Sequence, residues 1–343
     1  MSSWGTAPLL IVFVASAGAT WIAGLYLSKA TDVLDDRFNL GDAVGGMLLL
    51  GLAGSLPELA ITCSAALSGH LALATGNLLG GIAMQTLVLV FLDATSRKKQ
   101  PLTSLAPDVL PVLESMLVIV LVGFAIMGGL LPETTAIGPV SPASLAIVIF
   151  FLIGMLGLNR ARRRQAWRVA GDPPPQAAEA PNKLKVATTL LVLGVFGAAS
   201  ALTLFAGVML EQTGNQLADD FGMNGAVFGA TILAAVTALP EVSSGIQAVR
   251  LGAVGLAMSD IYGGNAMQLT FFLLADLLAW DPVLPTASAQ SLWLGLLGAI
   301  LTGILAYGLL IRSESKLGPL GRDSLLALLV YLAGVALLTA VPG

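Results

Sequence analysis

The chain has 343 residues, of which 56% are hydrophobic and only 10% charged, with a net charge of −4 at neutral pH. A soluble domain carries about 25% charged residues, so a water-soluble globule is excluded. Continuous apolar runs of spanning length argue equally against a β-barrel, whose strands alternate. The single cysteine, Cys63, excludes an intrachain disulfide.

Ten apolar segments, centred near residues 18, 53, 83, 118, 149, 198, 236, 265, 300 and 332, predict ten transmembrane helices. The first lacks a basic leading region and is long enough to span, so it is read as a helix rather than a cleavable signal. The second contains G-S-L-P-E-L-A at 54–60, and the third G-N-L-L-G-G-I-A-M-Q at 76–85. After the fifth comes the longest gap, 159–183, basic at first and then proline-rich, which reads as a flexible linker. The seventh segment contains T-A-L-P-E-V-S at 237–243, and the eighth S-D-I-Y-G-G-N-A-M-Q at 259–268. The division is therefore a first half at 1–158, a linker at 159–183 and a second half at 184–343. With an outside N-terminus, all 16 Lys and Arg fall in loops on the cytosolic side, the linker among them, as the positive-inside rule requires. Acids such as Glu133, Glu211, Asp219, Asp220 and Asp281 remain for the outer side.

Shifting the sequence by 183 residues aligns the two marked stretches without a gap. Leu56, Pro57, Glu58, Gly80, Gly81, Ala83, Met84 and Gln85 each meet an identical residue. The repeats cover about 47–93 and 230–276. Because five is odd, two five-helix halves in series face opposite ways, the inverted-repeat design of many secondary transporters. A proline inside such a helix removes a backbone hydrogen bond and kinks it. The freed carbonyls survive at that depth only against protein or a water-lined cavity. Two glutamates, two glutamine amides and backbone carbonyls make a hard-oxygen set, which suits Ca²⁺ better than Zn²⁺ or Cu⁺.

At these residues the chain resembles the cation/Ca²⁺ exchanger superfamily, the sodium/calcium and proton/calcium antiporters. Those proteins carry two α-repeats with patterns like G-T-S-x-P-E and G-S-N-x-x-N. The lead-in helices near A-T-W-I-A-G-L-Y-L-S-K-A and A-S-A-L-T-L-F-A-G-V-M-L are similar as well. The resemblance implies alternating-access antiport, with Glu58 and Glu241 as paired calcium carboxylates. It implies Ser55 and Thr237 as flanking ligands, backbone oxygens at Gly54 and Ala238, and Gln85 and Gln268 at the family's Asn/Asp positions. Gly54, Ala238, Gly81 and Gly264 stand where hydroxyl residues are usual. Losing four hydroxyls disfavours a small dehydrated Na⁺, and a buried carboxylate can release Ca²⁺ by taking up a proton. H⁺ is therefore favoured over Na⁺ as counter-ion.

An ionisable residue at the bilayer centre costs about 2.5–3.5 kcal/mol on insertion scales and usually serves function; two in matched frames strengthen that reading. Asn77 and Asp260, aligned with each other, read as an ion-entry or proton site, or as interfacial residues. Asp93, Asp276, Glu114 and Asp108 read as solvated acids near helix ends, and His70 as a loop residue. A gated cation channel is the alternative, although filters are usually built from rings across subunits. The sequence has no H-E-x-x-H, no nucleotide-binding loop and a single His, which argues against an enzyme or a nucleotide-driven pump. No cofactor and no nucleic acid is expected. The expected partners are the lipid bilayer and inorganic cations. A monomer is compatible with both halves lying in one chain, and the expected location is a prokaryotic inner membrane.

Overall fold

The computed structural model describes residues 4–38, 51–96, 98–106, 109–164 and 183–342. The start of the first α-repeat, the linker from 165 to 182, Arg97 and Asp108 lie outside the described residues. The first half contains α1 (Thr6–Phe38), α2 (Leu56–Ser68), α3 (Leu71–Thr95), α4 (Leu110–Gly129) and α5 (Pro142–Arg164). The second contains α6 (Thr189–Asp220), α7 (Gly225–Thr237) with a π-helical turn at Gly229–Leu233, α8 (Leu239–Leu251), α9 (Val254–Ala279), α10 (Ala289–Ile311) and α11 (Arg322–Leu337). Six of these helices are long and apolar enough to cross a bilayer, and α7 with α8, bent by 42°, is long and apolar enough for a seventh if the pair is taken as one broken span. Each of the ten expected centres falls in a helix, residue 53 within the helical stretch 51–54 that precedes α2. α5 continues six residues into the stretch read as linker, because 159–164 are helical.

The backbone repeats with the sequence. Pro57 and Pro240 each occupy the first turn of their helix, where a missing N–H costs nothing. The turn before each proline is opened at Ser55 (φ −96°, ψ 18°) and Ala238 (φ −78°, ψ −3°). Thirteen residues on, α2 and α8 both stop at a left-handed glycine, Gly69 (φ 77°) and Gly252 (φ 84°). A Cβ would be strained at that φ, so glycine closes both helices. The following residues, His70 (φ −84°, ψ 51°) and Ala253 (φ −85°, ψ 55°), match in turn and start α3 and α9.

α1 and α6, of 33 and 32 residues, are longer than a perpendicular crossing of the bilayer core requires. They lie antiparallel. Thr6 donates to Asp220 at one end, and Arg37 donates to Thr189 and to the carbonyl of Ala187 at the other. The basic loops share one face. Lys185 pairs with Asp36, Arg312 donates to the carbonyls of Ser104 and Ala106, and Lys316 pairs with Asp93. A short ribbon, Lys316–Leu317 against Leu320–Gly321, closes the loop before α11 on that face.

Asp93 and Asp276 correct the expectation of solvated acids. Both are fully buried. Asp93 accepts from the N–H groups of Leu102 and Gly321, and Asp276 from those of Ser141 and Val283. Matched in the repeat, they fasten loops at opposite faces, where a buried backbone donor must find an acceptor. Asp276→Ala leaves two such donors unpaired and is expected to destabilise the protein by roughly 2–4 kcal/mol. Thermal unfolding in detergent reads this, and an unchanged midpoint would remove the role.

Candidate functional site

α1 and α6 each carry a glycine that admits the opposite half. A Cβ on Gly24 would lie 2.8 Å from the ring of Pro240, and one on Gly207 would lie 2.5 Å from the Ala60 methyl and 3.2 Å from the Pro57 carbonyl oxygen. The two glycines are 183 residues apart, as are the two prolines. Each long helix is therefore seated on the proline turn of the other half, and the two glutamates that follow those turns are brought to the middle of the protein. These glycines were missed in the sequence, although the same shift pairs T-x-x-A-G-x-x-L at 20–27 with 203–210.

The glutamines meet where the halves cross. Gln85 donates to Gln268 Oε1 at 3.3 Å and to Glu58 Oε1 at 3.0 Å, and Gln268 donates to the Leu78 carbonyl at 2.7 Å. Gly81 explains how two long amides fit. A Cβ on Gly81 would lie 3.1 Å from Gln268 Nε2, and one on Gly264 would lie 3.8 Å from Gln85 Oε1 and 3.9 Å from Ser55 Oγ. Gly81 thus leaves room for the glutamine of the other repeat, whereas at Gly264 a Cβ would make only ordinary contact.

The two carboxylates are not equivalent. Glu58 is 1% exposed; Gln85 holds one of its oxygens, and Thr237 from the second half lies beside it. The counterpart of Thr237 is Gly54, which offers Glu241 no hydroxyl. Glu241 is partly exposed and lines a cavity of about 310 Å³. That cavity runs from Glu241 along α1, α8 and α9 to Asp32 and Arg162 on the basic face. Asp260 lines it as well, exposed, and accepts from Ser244 at 3.2 Å. Glu58 and Asp260 both lie near enough for their charges to act on Glu241. Glu114, expected to be a solvated helix-end acid, is buried and lines the same cavity, so its wall carries four carboxylates. Arg162 stands at the basic-face end, and the four carboxylates leave the wall with an excess of negative charge, which favours cations.

Asn77, the repeat counterpart of Asp260, is fully buried, and neither amide atom has a hydrogen-bond partner among the described residues. The residue matching Ser244 is Ile61, which cannot donate. Ser55 and Thr237 are 3% and 1% exposed, beside the site. The backbone oxygens of Ser55 and Ala238 accept from the N–H groups of Leu59 and Val242, continuing the helices past the prolines. Gly54 borders the cavity, whereas Ala238 is buried. Ser244 and Thr203, both cavity residues, were missed in the sequence. Thr203 matches Thr20 in the repeat, and both hydroxyls are buried without a partner among the described residues.

His70 lies in the turn between α2 and α3, as expected. It is no free loop residue: its Nδ1 meets the carboxylate of Glu211, which also accepts from Ser64 Oγ at 2.7 Å. Glu211, expected in an outer loop, is fully buried in α6.

Residues 8–155 and 190–340 match the sodium/calcium exchanger protein family. The chain is similar to the inner membrane protein YrbG of Escherichia coli (strain K12), with 26% identity over 279 residues, 81% of this chain and 82% of that protein. Among solved structures it is similar to the H⁺/Ca²⁺ exchanger CAX, with TM-score 0.71 and 17% identity, covering 98% of this chain and 82% of that one. It is also similar to the sodium-calcium exchanger NCX_Mj, with TM-score 0.59 and 16% identity, covering 97% and 99%. The fold is shared with both. The chain belongs to the sodium/calcium exchanger family and is an integral membrane transporter, not an enzyme.

Proposed function

We propose that this family member exchanges Ca²⁺, or a similar divalent cation, for a monovalent cation by alternating access, with Glu58 and Glu241 as the ion-binding carboxylates. The observation that carries this is the meeting of matched residues from two inverted halves, Gln85 with Gln268, beside Glu58 and within electrostatic range of Glu241. Among the described residues no three His, Cys, Asp or Glu side chains gather into a metal-sized cluster. In this reading the two glutamates hold the ion, with Thr237, Ser55 and backbone oxygens near Gly54 and Ala238 completing an oxygen shell of the kind Ca²⁺ takes. Gln85 and Gln268 hold that shell in register between the halves. The open cavity at Glu241 and the seal around Glu58 describe a state facing the basic side, with Asp260 as the entry group. By the positive-inside rule that side is the cytosol, which places the N-terminus outside.

A proton is the favoured counter-ion. One of the positions where a hydroxyl would serve Na⁺, Gly81, is crowded by Gln268 of the opposite repeat, whose Nε2 would lie 3.1 Å from a Cβ there. Two carboxylates remain to exchange a divalent cation for protons. The inner membrane of the relative YrbG supports the same location here.

Radioactive calcium uptake into proteoliposomes under an imposed H⁺ or Na⁺ gradient tests the reading. Uptake driven by the H⁺ gradient is expected. Uptake driven by the Na⁺ gradient alone would reverse the counter-ion, and uptake indifferent to both would replace the exchanger with a channel.

A further inference from the structure

The inverted repeat allows the open side of the path to be compared, residue by residue, with the closed side. On the open side α1 touches Pro240 at Gly24 and then parts from α8, so that Ser28, Thr31 and Asp32 face the cavity. On the far side α6 touches Pro57 at Gly207 and stays against α2. One turn beyond Gly207, Glu211 takes a hydrogen bond from Ser64 near the end of α2 and meets His70 in the turn that follows. The residues that match Glu211, Ser64 and His70 are Ser28, Gln247 and Ala253, which offer neither a carboxylate nor an imidazole. The tie is thus present only where the path is shut.

What lies behind the tie differs as well. Two turns into α3, Asn77 is buried with its amide unpaired, whereas its counterpart Asp260 faces the cavity. α7 covers this region tightly: a Cβ on Gly76 would overlap the Ala226 carbonyl, and one on Gly80 would overlap the Ala230 methyl. By contrast, a Cβ on Gly263, the counterpart of Gly80, would meet nothing within 4 Å. A buried amide without partners is unfavourable compared with one that meets water.

We propose that Glu211, His70 and Ser64 form a latch that keeps the far side of the ion path shut, and that its release uncovers Asn77 as the cation-entry ligand on that side. Glu211 is the centre of the latch, because among the described residues it joins α6 to both the end of α2 and the α2–α3 turn. Releasing it frees the end of α2, the helix whose first turn carries Glu58. The amide oxygen of Asn77 then meets water and the incoming cation, as Asp260 does on the basic side. The inference rests on the exchange reading.

The test uses the full-length protein with Cys63→Ala, in sealed membranes, and reads the rate at which a membrane-impermeant thiol reagent modifies Asn77→Cys from the far side and Asp260→Cys from the basic side. With the latch intact, Asp260→Cys is expected to react quickly and Asn77→Cys slowly. Glu211→Gln or His70→Ala is expected to raise the Asn77→Cys rate roughly tenfold or more and to lower that of Asp260→Cys, since losing hydrogen bonds to a charged group shifts a two-state balance by that order. Ser64→Ala removes one hydroxyl and is expected to shift both rates in the same directions by less. It gives the answer should a Glu211 variant fail to insert. Unchanged rates in these variants, or equal rises on both sides, would overturn the latch. Modification is read without transport. An accessible far side with no exchange refutes only the exchange reading, and exchange with no change in accessibility refutes only the latch.

Discussion

If the proposed site is right, replacing either Glu58 or Glu241 with glutamine is expected to lower the initial rate of calcium exchange about a hundredfold or more, because each substitution deletes one of the two charges proposed to hold the divalent ion. Removing one member of a buried charge pair typically costs about 2–5 kcal/mol, and each 1.4 kcal/mol is tenfold. The amide keeps the volume of the carboxylate, so folding is expected to survive in both variants. The two should differ in one respect. Glu241 opens on the cavity, so Glu241→Gln weakens capture from the basic side directly. Glu58 is sealed and held by Gln85, so Glu58→Gln also disturbs the contact of Gln85 with Gln268. Flux into proteoliposomes and calcium binding to detergent-solubilised protein measure both effects. Wild-type rates in the two variants would remove the site.

Gly76→Val is expected to prevent correct folding. The Cα of Gly76 faces the backbone of α7 so closely that a Cβ would overlap the Ala226 carbonyl. That obstacle is main chain and cannot rotate aside. Ordinary overpacking costs about 1–3 kcal/mol, and two branched methyls against main chain exceed that. Gly123→Val is the control, because a Cβ there meets nothing within 4 Å. The yield of monodisperse protein and its thermal midpoint in detergent read the difference. Equal behaviour of the two variants would show that α3 and α7 are not packed through this glycine. Small residues let membrane helices meet backbone to backbone, as Gly76 and Gly80 of α3 do with α7.

Several features were legible in the sequence because their causes are local. Low charge and apolar runs dictate membrane helices. Proline sets where α2 and α8 begin, and a glycine at positive φ sets where each ends. The shift of 183 residues exposed the repeat because the same local turn was needed twice. Glu58 and Glu241 stood out because a charge in an apolar run is costly. The environment of the remaining groups was not legible in the same way. Asp93 and Asp276 resembled solvated helix-end acids in sequence, yet each is buried and holds loop N–H groups, one of them 228 residues away. His70 resembled a turn residue, yet its partner Glu211 is 141 residues distant. Asn77 and Asp260 align with each other, yet one is buried under α7 and the other opens on the cavity, which their sequence context does not reveal.

The sequence by itself therefore determined the class of fold, the inverted repeat and the pair of acidic turns, since composition, proline, glycine and periodicity act over a few residues. Only the tertiary structure decided which glutamate faces the cavity and which is sealed, that Gln85 meets Gln268, and that the far side is tied through Glu211. Those outcomes depend on how helices from two halves pack across one another, and no window of neighbouring residues contains that contact.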